Sequence, residues 1–222
     1  SAVMSGGEAP APPPPPSPAA AEGGDTTRLS LEDLRLSPWG PLERSGAERP
    51  ICPGCNKSRQ YFCYDCQKVL MDGVPRMRLP VKVDIVQHGE SNSKATGVHA
   101  AMVAPEDVRL LRHEDTLTGR RKAVSELELP DYDPATTVVL FPTDDAVEVG
   151  SPECLPFERA VVIEGTWKKA ASFLRQSKLQ HLRKVKLAGN PRTIYWRRGD
   201  GSFRGAKEDG VCTIECVYLL GR

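Results

Sequence analysis

Four cysteines in the stretch CPGCNKSRQYFCYDC, at Cys52, Cys55, Cys63 and Cys66, stand in a Cys-x2-Cys-x7-Cys-x2-Cys pattern. Zinc takes four soft or borderline ligands in a tetrahedron at about 2.3 Å, and two Cys-x2-Cys turns can each present two thiolates. The seven-residue link is shorter than in common zinc ribbons but long enough for a tight hairpin, which Tyr61, Phe62 and Tyr64 would pack. Four protein ligands leave no open coordination position, so the zinc is expected to be structural. A reduced or redox-active set of thiols is the alternative. Cys154, Cys212 and Cys216 read as unpaired core or loop thiols.

A second chemical signal lies in the charge distribution. From Lys168 to Lys207 the chain carries twelve Lys or Arg and a single acid, Asp200, with Phe173, Tyr195, Trp196 and Phe203 interleaved. Such a run attracts phosphate backbones, because each neutralised phosphate releases counterions, and exposed aromatics can stack on unpaired bases. A solvated helix face is the plainer reading of a basic run, but the asymmetry here favours nucleic-acid contact. The run opens within VVIEGTWKKA, where strand-like apolar residues lead into Glu164, Gly165, Thr166 and Trp167. Taken alone, that is an ordinary helix entry with Trp167 in a core.

These residues need a scaffold. The 222 residues give room for one ordinary domain with appendages, and the net charge of +1 says nothing about partners by itself. No stretch approaches the ~18 apolar residues of a membrane span, and no charged head precedes an apolar run as in a secretory leader. Seven cysteines, four in metal spacing, fit a reducing compartment, cytosolic or nuclear. Residues 1–27 are Pro/Ala/Gly-rich and cannot bury enough surface to offset their ordering entropy, so a disordered tail is expected there. Residues 28–75 form a second unit: a short leader helix, with Leu29, Leu31, Leu34 and Leu36 after a Ser30 cap, and then the cysteine unit. Residues 76–222 form the third. Val81, Val83 and Ile85 share one strand face, and GVHAAMVAPEDVRLLR reads as another strand or a helix pair. TTVVLFPTDD, RAVVIEGTW and VKLAGNPRTIYW supply further apolar runs, with helical periodicity in KKAASFLRQSKLQHL at Ala170, Phe173, Leu174 and Leu182. Short continuous apolar strands alternating with helices imply an α/β domain around a largely parallel sheet.

The ordered set of motifs resembles a known family. IEGTW is similar to the Asp-x-Thr-Trp signature of the DTW-domain tRNA-uridine aminocarboxypropyltransferases. LPVKVDIVQHGESNSKATGVHA resembles that family's strand, His-x-Glu element and Lys/Thr loop. VVLFPTDDA resembles its Phe-Pro loop and VCTIECVYLL its Ser-Thr-Ile-Glu-Ala helix start, with a four-cysteine unit ahead of the domain. The likeness runs from about Cys52 to the end and is strongest to the vertebrate type 1 branch. It implies a SPOUT-like knotted α/β domain whose C-terminal loops bind S-adenosylmethionine. It also implies transfer of the 3-amino-3-carboxypropyl group to N3 of a D-loop uridine, around position 20, in tRNA. Alternatives are a catalytically weakened RNA-binding homologue and a SPOUT-like RNA methyltransferase.

The resemblance carries roles onto positions. Glu164, Thr166 and Trp167 take the catalytic positions, since a strand-terminal carboxylate could accept the N3 proton as general base. Phe141, Pro142 and Thr143 form one cofactor loop; Cys212, Thr213 and Glu215 form another, at a helix N-terminus suited to a carboxylate. His88, Glu90, Lys94 and His99 lie toward cofactor or tRNA, and Arg192, Arg197 and Arg198 toward phosphates. Glu164 stands where the signature has aspartate, and Cys212 where the helix start has serine. The resemblance also implies a helical tail beyond Arg222, hence a C-terminally shortened domain, and nuclear residence, with the cytoplasm as alternative. Protein partners are not specified.

Overall fold

A computed structural model describes residues 48–88, 91–112, 129–189, 191, 193 and 210–221. The tail, the leader helix, Glu90, Arg192, Tyr195, Trp196, Arg197, Arg198 and Phe203 lie outside the described residues. The chain first builds a two-stranded hairpin, β1 (Phe62–Cys63) and β2 (Lys68–Val69). A six-stranded sheet follows: β3 (Lys82–Gln87), β4 (Val108–Arg112), β5 (Thr137–Leu140), β6 (Val147–Glu148), β7 (Arg159–Glu164) and β8 (Arg183–Lys186). Its order is β4-β3-β7-β5-β8-β6, and every neighbouring pair is parallel. The chain is therefore α/β with a parallel sheet, as its apolar runs imply. A parallel sheet must be covered on both faces, so the central strands β7 and β5 are near-continuous apolar runs; TVVL of β5 is buried throughout.

Alternation along the strands assigns the two layers. Val83, Ile85, Val138, Leu140, Ala160 and Val162 point to one face. There they meet α1 (Gly97–Val103) and α3 (Thr213–Leu220) through Ala100, Met102, Val217 and Leu220. Val86, Val139, Val161 and Ile163 point to the other, against Ala170, Phe173 and Leu174 of α2 (Trp167–Gln176). Phe173 is wholly buried, and removing its ring would cost about 3–5 kcal/mol. Among the described residues no helix is long and apolar enough to cross a membrane.

Three local readings sharpen. GVHAAMVAPEDVRLLR divides into α1 and the edge strand β4, with Ala104–Asp107 as the turn between them. The helix expected over KKAASFLRQSKLQHL stops at Ser177, whose side chain accepts the Leu179 N–H and starts a 3₁₀ turn, Lys178–His181. That turn delivers Leu179 and Leu182 to the core. The run expected over VKLAGNPRTIYW pairs earlier, at Arg183–Lys186, where Val185 finds Leu140 on one side and Val147 on the other.

Candidate active site at the strand ends

In open parallel sheets, ligands bind beyond the carboxyl ends of the strands. Here β3, β7 and β5 end side by side at Gln87, Glu164 and Leu140. Gln87 and Glu164 are register partners, and the His88 N–H donates to the Glu164 carbonyl at 2.8 Å. Position 165 needs glycine, because a Cβ there would come 2.6 Å from the His88 carbonyl oxygen.

The Glu164 side chain turns into the protein. Its Oε1 accepts the Thr96 backbone N–H at 2.8 Å and its Oε2 the Gly97 N–H at 2.7 Å. These are the first free donors of α1, a helix with no side-chain cap or first-turn acid of its own. The Thr96 hydroxyl also reaches Oε1, at 3.4 Å, and accepts the Ile214 N–H at the start of α3, at 3.4 Å. The Thr213 side chain is near enough to the same carboxylate to draw its pKa down. One acid at the end of β7 thus gathers the starts of α1 and α3. Burial raises its carboxyl above the usual range, against the lowering effect of the Gly97 and Thr96 N–H groups. Gly97 is required by the contact, since a Cβ there would lie 2.4 Å from Oε2.

Trp167 lies outside the core. It opens α2 with 41% of its surface exposed and meets Phe141 edge-to-face, centroids 5.6 Å apart. Thr166, the α2 N-cap residue, is exposed beside it. Pro142 is exposed, and Thr143 closes a tight turn through its N–H to the Phe141 carbonyl, at 2.9 Å. The Thr143 hydroxyl is buried with no hydrogen bond of good geometry, although it is near enough to Asp145 to draw that carboxyl below its usual range. At the start of α3, the Glu215 carboxylate accepts the Cys212 N–H at 2.7 Å and the Thr193 hydroxyl at 2.8 Å, so it caps its own helix. Burial pushes the Cys212 thiol up to about 11. The three separate turns therefore converge: 141–143 meets 164–167 through the aromatic pair, and 212–215 meets it through Thr213 and Thr96.

The remaining candidates divide. His88 stacks on Phe173, centroids 4.6 Å apart, and burial with the Lys169 charge lowers its pKa, which favours the neutral ring. Lys94 is exposed in the turn before α1. His99, half-buried in α1, packs edge-on against Phe62 of the hairpin, at 5.1 Å. Sequence reasoning misses Thr96 and Gly97. They sit between Lys94 and His99, and backbone donors leave no side-chain signature.

The cysteine unit is a built cluster. The four Sγ atoms lie within 4.8 Å of one another, and Cys55 and Cys63 approach to 3.6 Å. A zinc tetrahedron with bonds of about 2.3 Å needs sulfur separations of roughly 3.8 Å. Each half is a knuckle followed by a left-handed residue, Asn56 (φ 54°) after Cys55 and Gln67 (φ 52°) after Cys66. Each knuckle aims a backbone N–H at sulfur, Gly54 to Cys52 and Cys66 to Cys63, both at 3.4 Å. Although burial pushes the Cys52 thiol up, the Gly54 and Cys55 N–H groups together with the Cys63 and Cys55 sulfurs bring it down to about 6, while burial and its sulfur neighbours push the Cys66 thiol up to about 12. Four such donors could hold a metal ion. Arg112 at the end of β4 fastens the unit to the sheet through the Tyr64 and Asp65 carbonyls.

A family model described as DTW domain matches residues 50–220. Curated proteins named tRNA-uridine aminocarboxypropyltransferase 1 are similar to the chain. That of Xenopus tropicalis is 26% identical, covering 86% of this chain and 75% of its own length. The Mus musculus protein is 26% identical, with 80% of this chain and 68% of its own covered. For the Homo sapiens protein the values are 23%, 88% and 76%. No solved structure matches the chain.

Proposed function

The chain belongs to the DTW-domain family, and on that footing we propose that it is a tRNA-uridine aminocarboxypropyltransferase. It would move the 3-amino-3-carboxypropyl group of S-adenosylmethionine to N3 of a D-loop uridine, around position 20. The observation that carries the reading is the convergence of 141–143, 164–167 and 212–215 at the carboxyl ends of β5 and β7. The residues fit such a cofactor: a half-exposed aromatic corner, Trp167 on Phe141, and beside it the Thr143 hydroxyl, buried without a good partner. When bound, S-adenosylmethionine supplies an electrophilic carbon next to a sulfonium.

The chain's own residues would do the rest. Trp167 and Phe141 offer faces against which a flat base can rest. Thr143 offers a donor, and the Thr213 end of the α3 loop lies beside Glu164 at the end of β7. By its place at a strand end Glu164 reads as a proton acceptor; with both oxygens held by backbone N–H groups, it suits a positioning role. It fixes the α1 and α3 starts, and holding reactants in line can supply much of the rate. The imidazole of His88, directly after β3 and favoured in its neutral form, is available to accept the N3 proton. The cysteine unit would carry one structural zinc and brace the β4 edge.

The test is incubation with tRNA and S-adenosylmethionine, followed by nucleoside mass spectrometry. Aminocarboxypropyl-uridine together with methylthioadenosine is the expected outcome. A methylated base with S-adenosylhomocysteine would mean methyl transfer instead, and tRNA binding with no product would leave an RNA-binding homologue.

A further inference from the structure

At the opposite end of the sheet from the candidate active site lies an open cleft of about 800 Å³. Its floor is the amino ends of β3, β4 and β7, and its far wall is the β2 side of the cysteine unit. β3 runs six residues between the two ends, so the cleft and the catalytic end are about 15–20 Å apart. No ligand of mononucleotide size spans that separation.

The lining is cationic and nonaromatic. Lys68, Arg76, Lys82, Arg109 and Arg159 face two carboxylates, Glu106 and Asp107. The acids near the cleft are shared. Buried Asp84 takes both Arg109 and Arg159, at 2.5 and 2.9 Å, and buried Asp107 takes both Lys82 and Arg78, at 2.7 Å each. Even with Asp84 counted, the cations lining the cleft outnumber the acids. The shared pairs hold the two guanidiniums in fixed orientation, which prepares them for a second anion. Lys68 and Arg76 are exposed on the cysteine-unit side.

We propose that this cleft is a second RNA contact, in which Lys68, Arg76, Arg109 and Arg159 grip the phosphate backbone of the tRNA while its uridine occupies the strand ends. The inference rests on the tRNA reading above. With no aromatic side chain in the lining, it would grip the backbone and leave the bases unread, a contact that positions without specifying sequence. The cysteine unit then has a part in binding, because Arg112 and Phe62 fix the hairpin against the sheet, and the hairpin presents Lys68 across from Arg109.

The experiment uses the full chain and unmodified tRNA. The Lys68→Glu/Arg76→Glu variant changes two exposed residues, neither of them in the candidate active site; Lys68→Ala/Arg76→Ala is its neutral companion. Affinity is read by filter binding from 50 to 200 mM salt, with cofactor binding and single-turnover rate alongside. The charge-reversed variant is expected to bind tRNA about tenfold more weakly, with the salt slope reduced by roughly 1.5–2 for two lost phosphate contacts. The alanine pair should fall between, with cofactor affinity and the rate at saturating tRNA unchanged. A wild-type chain that modifies tRNA while both variants match it in affinity and slope overturns the cleft and leaves the activity standing. A wild-type chain that binds tRNA without product, with the variants weakened, supports the cleft and removes the activity. No tRNA binding by the wild type overturns both.

Discussion

Replacing Glu164 by aspartate sets two arguments against each other. The family signature has aspartate at this position, so by sequence alone the change restores the motif and should raise activity. The structure gives the opposite sign. Losing one methylene withdraws the carboxylate by about 1.5 Å, and its bonds to Thr96 N and Gly97 N, now 2.8 and 2.7 Å, would open to roughly 4 Å, beyond hydrogen-bond range. Two buried N–H groups at the start of α1 would then lack an acceptor, at about 1–3 kcal/mol each. After some relaxation, roughly 2–5 kcal/mol of destabilisation remains, or a Tm lower by about 5–15 °C for a domain of this size. Glu164→Asp should therefore unfold earlier in a thermal melt followed by circular dichroism. It should also transfer more slowly at a temperature where both proteins are folded. Gly97→Ala adds a control, because its Cβ would meet Oε2 at 2.4 Å and Ile85 Cγ2 at 2.9 Å. Joined to Glu164→Asp, the first clash goes and the second stays, so the two changes should be less than additive by about 0.5–3 kcal/mol. An unchanged or higher Tm together with a faster rate in Glu164→Asp would refute the reasoning.

Trp167→Ala removes an exposed edge-to-face pair worth about 0.5–1.5 kcal/mol. Its Tm should fall by only a few degrees while tRNA modification drops at least tenfold or so; a large Tm loss with activity retained would return Trp167 to the core. Metal analysis of the purified chain should find about one zinc, lowered by Cys63→Ser, with faster amide exchange in the β1–β2 hairpin. Full exchange protection in a metal-free protein would count against a structural metal. His99 is held below its ordinary pKa by burial, so between that depressed value and about 6.5 the unfolded chain binds the extra proton. Stability should fall as pH drops from 7 toward 5, and His99→Gln should flatten that slope; an identical slope in the variant would show that other groups set it.

What could be read from the sequence, and what could not, follows from where each signal resides. Strands buried on both faces carry their signal in consecutive residues, so RAVVIE and TTVVL announce themselves, and Cys-x2-Cys spacing is local for the same reason. Strand ends are harder: Val185 pairs early because its partners, Leu140 and Val147, lie on other strands. Trp167 reads as a core residue by type, yet opens a helix whose buried face begins at Ala170 and Phe173. His99 looks chemical by type, but its place in α1 sets it against Phe62.

Glu164 is the sharpest case, because the length of an acid has meaning only against the backbone it must reach. The donors lie 67 and 68 residues away in the chain, and they are backbone N–H groups, which neither the glycine nor the threonine of the Lys/Thr loop announces by its side chain. Gly97 leaves the space that the longer side chain fills, and Thr96 passes the contact on to α3 through the Ile214 N–H. The acid at 164 and the glycine at 97 are therefore one unit. A relative with a shorter acid would need either a closer α1 or a side chain at the glycine position to fill the gap. The departure from the signature, which the motif alone would make a damaged base, becomes a matched pair once the start of α1 is in view.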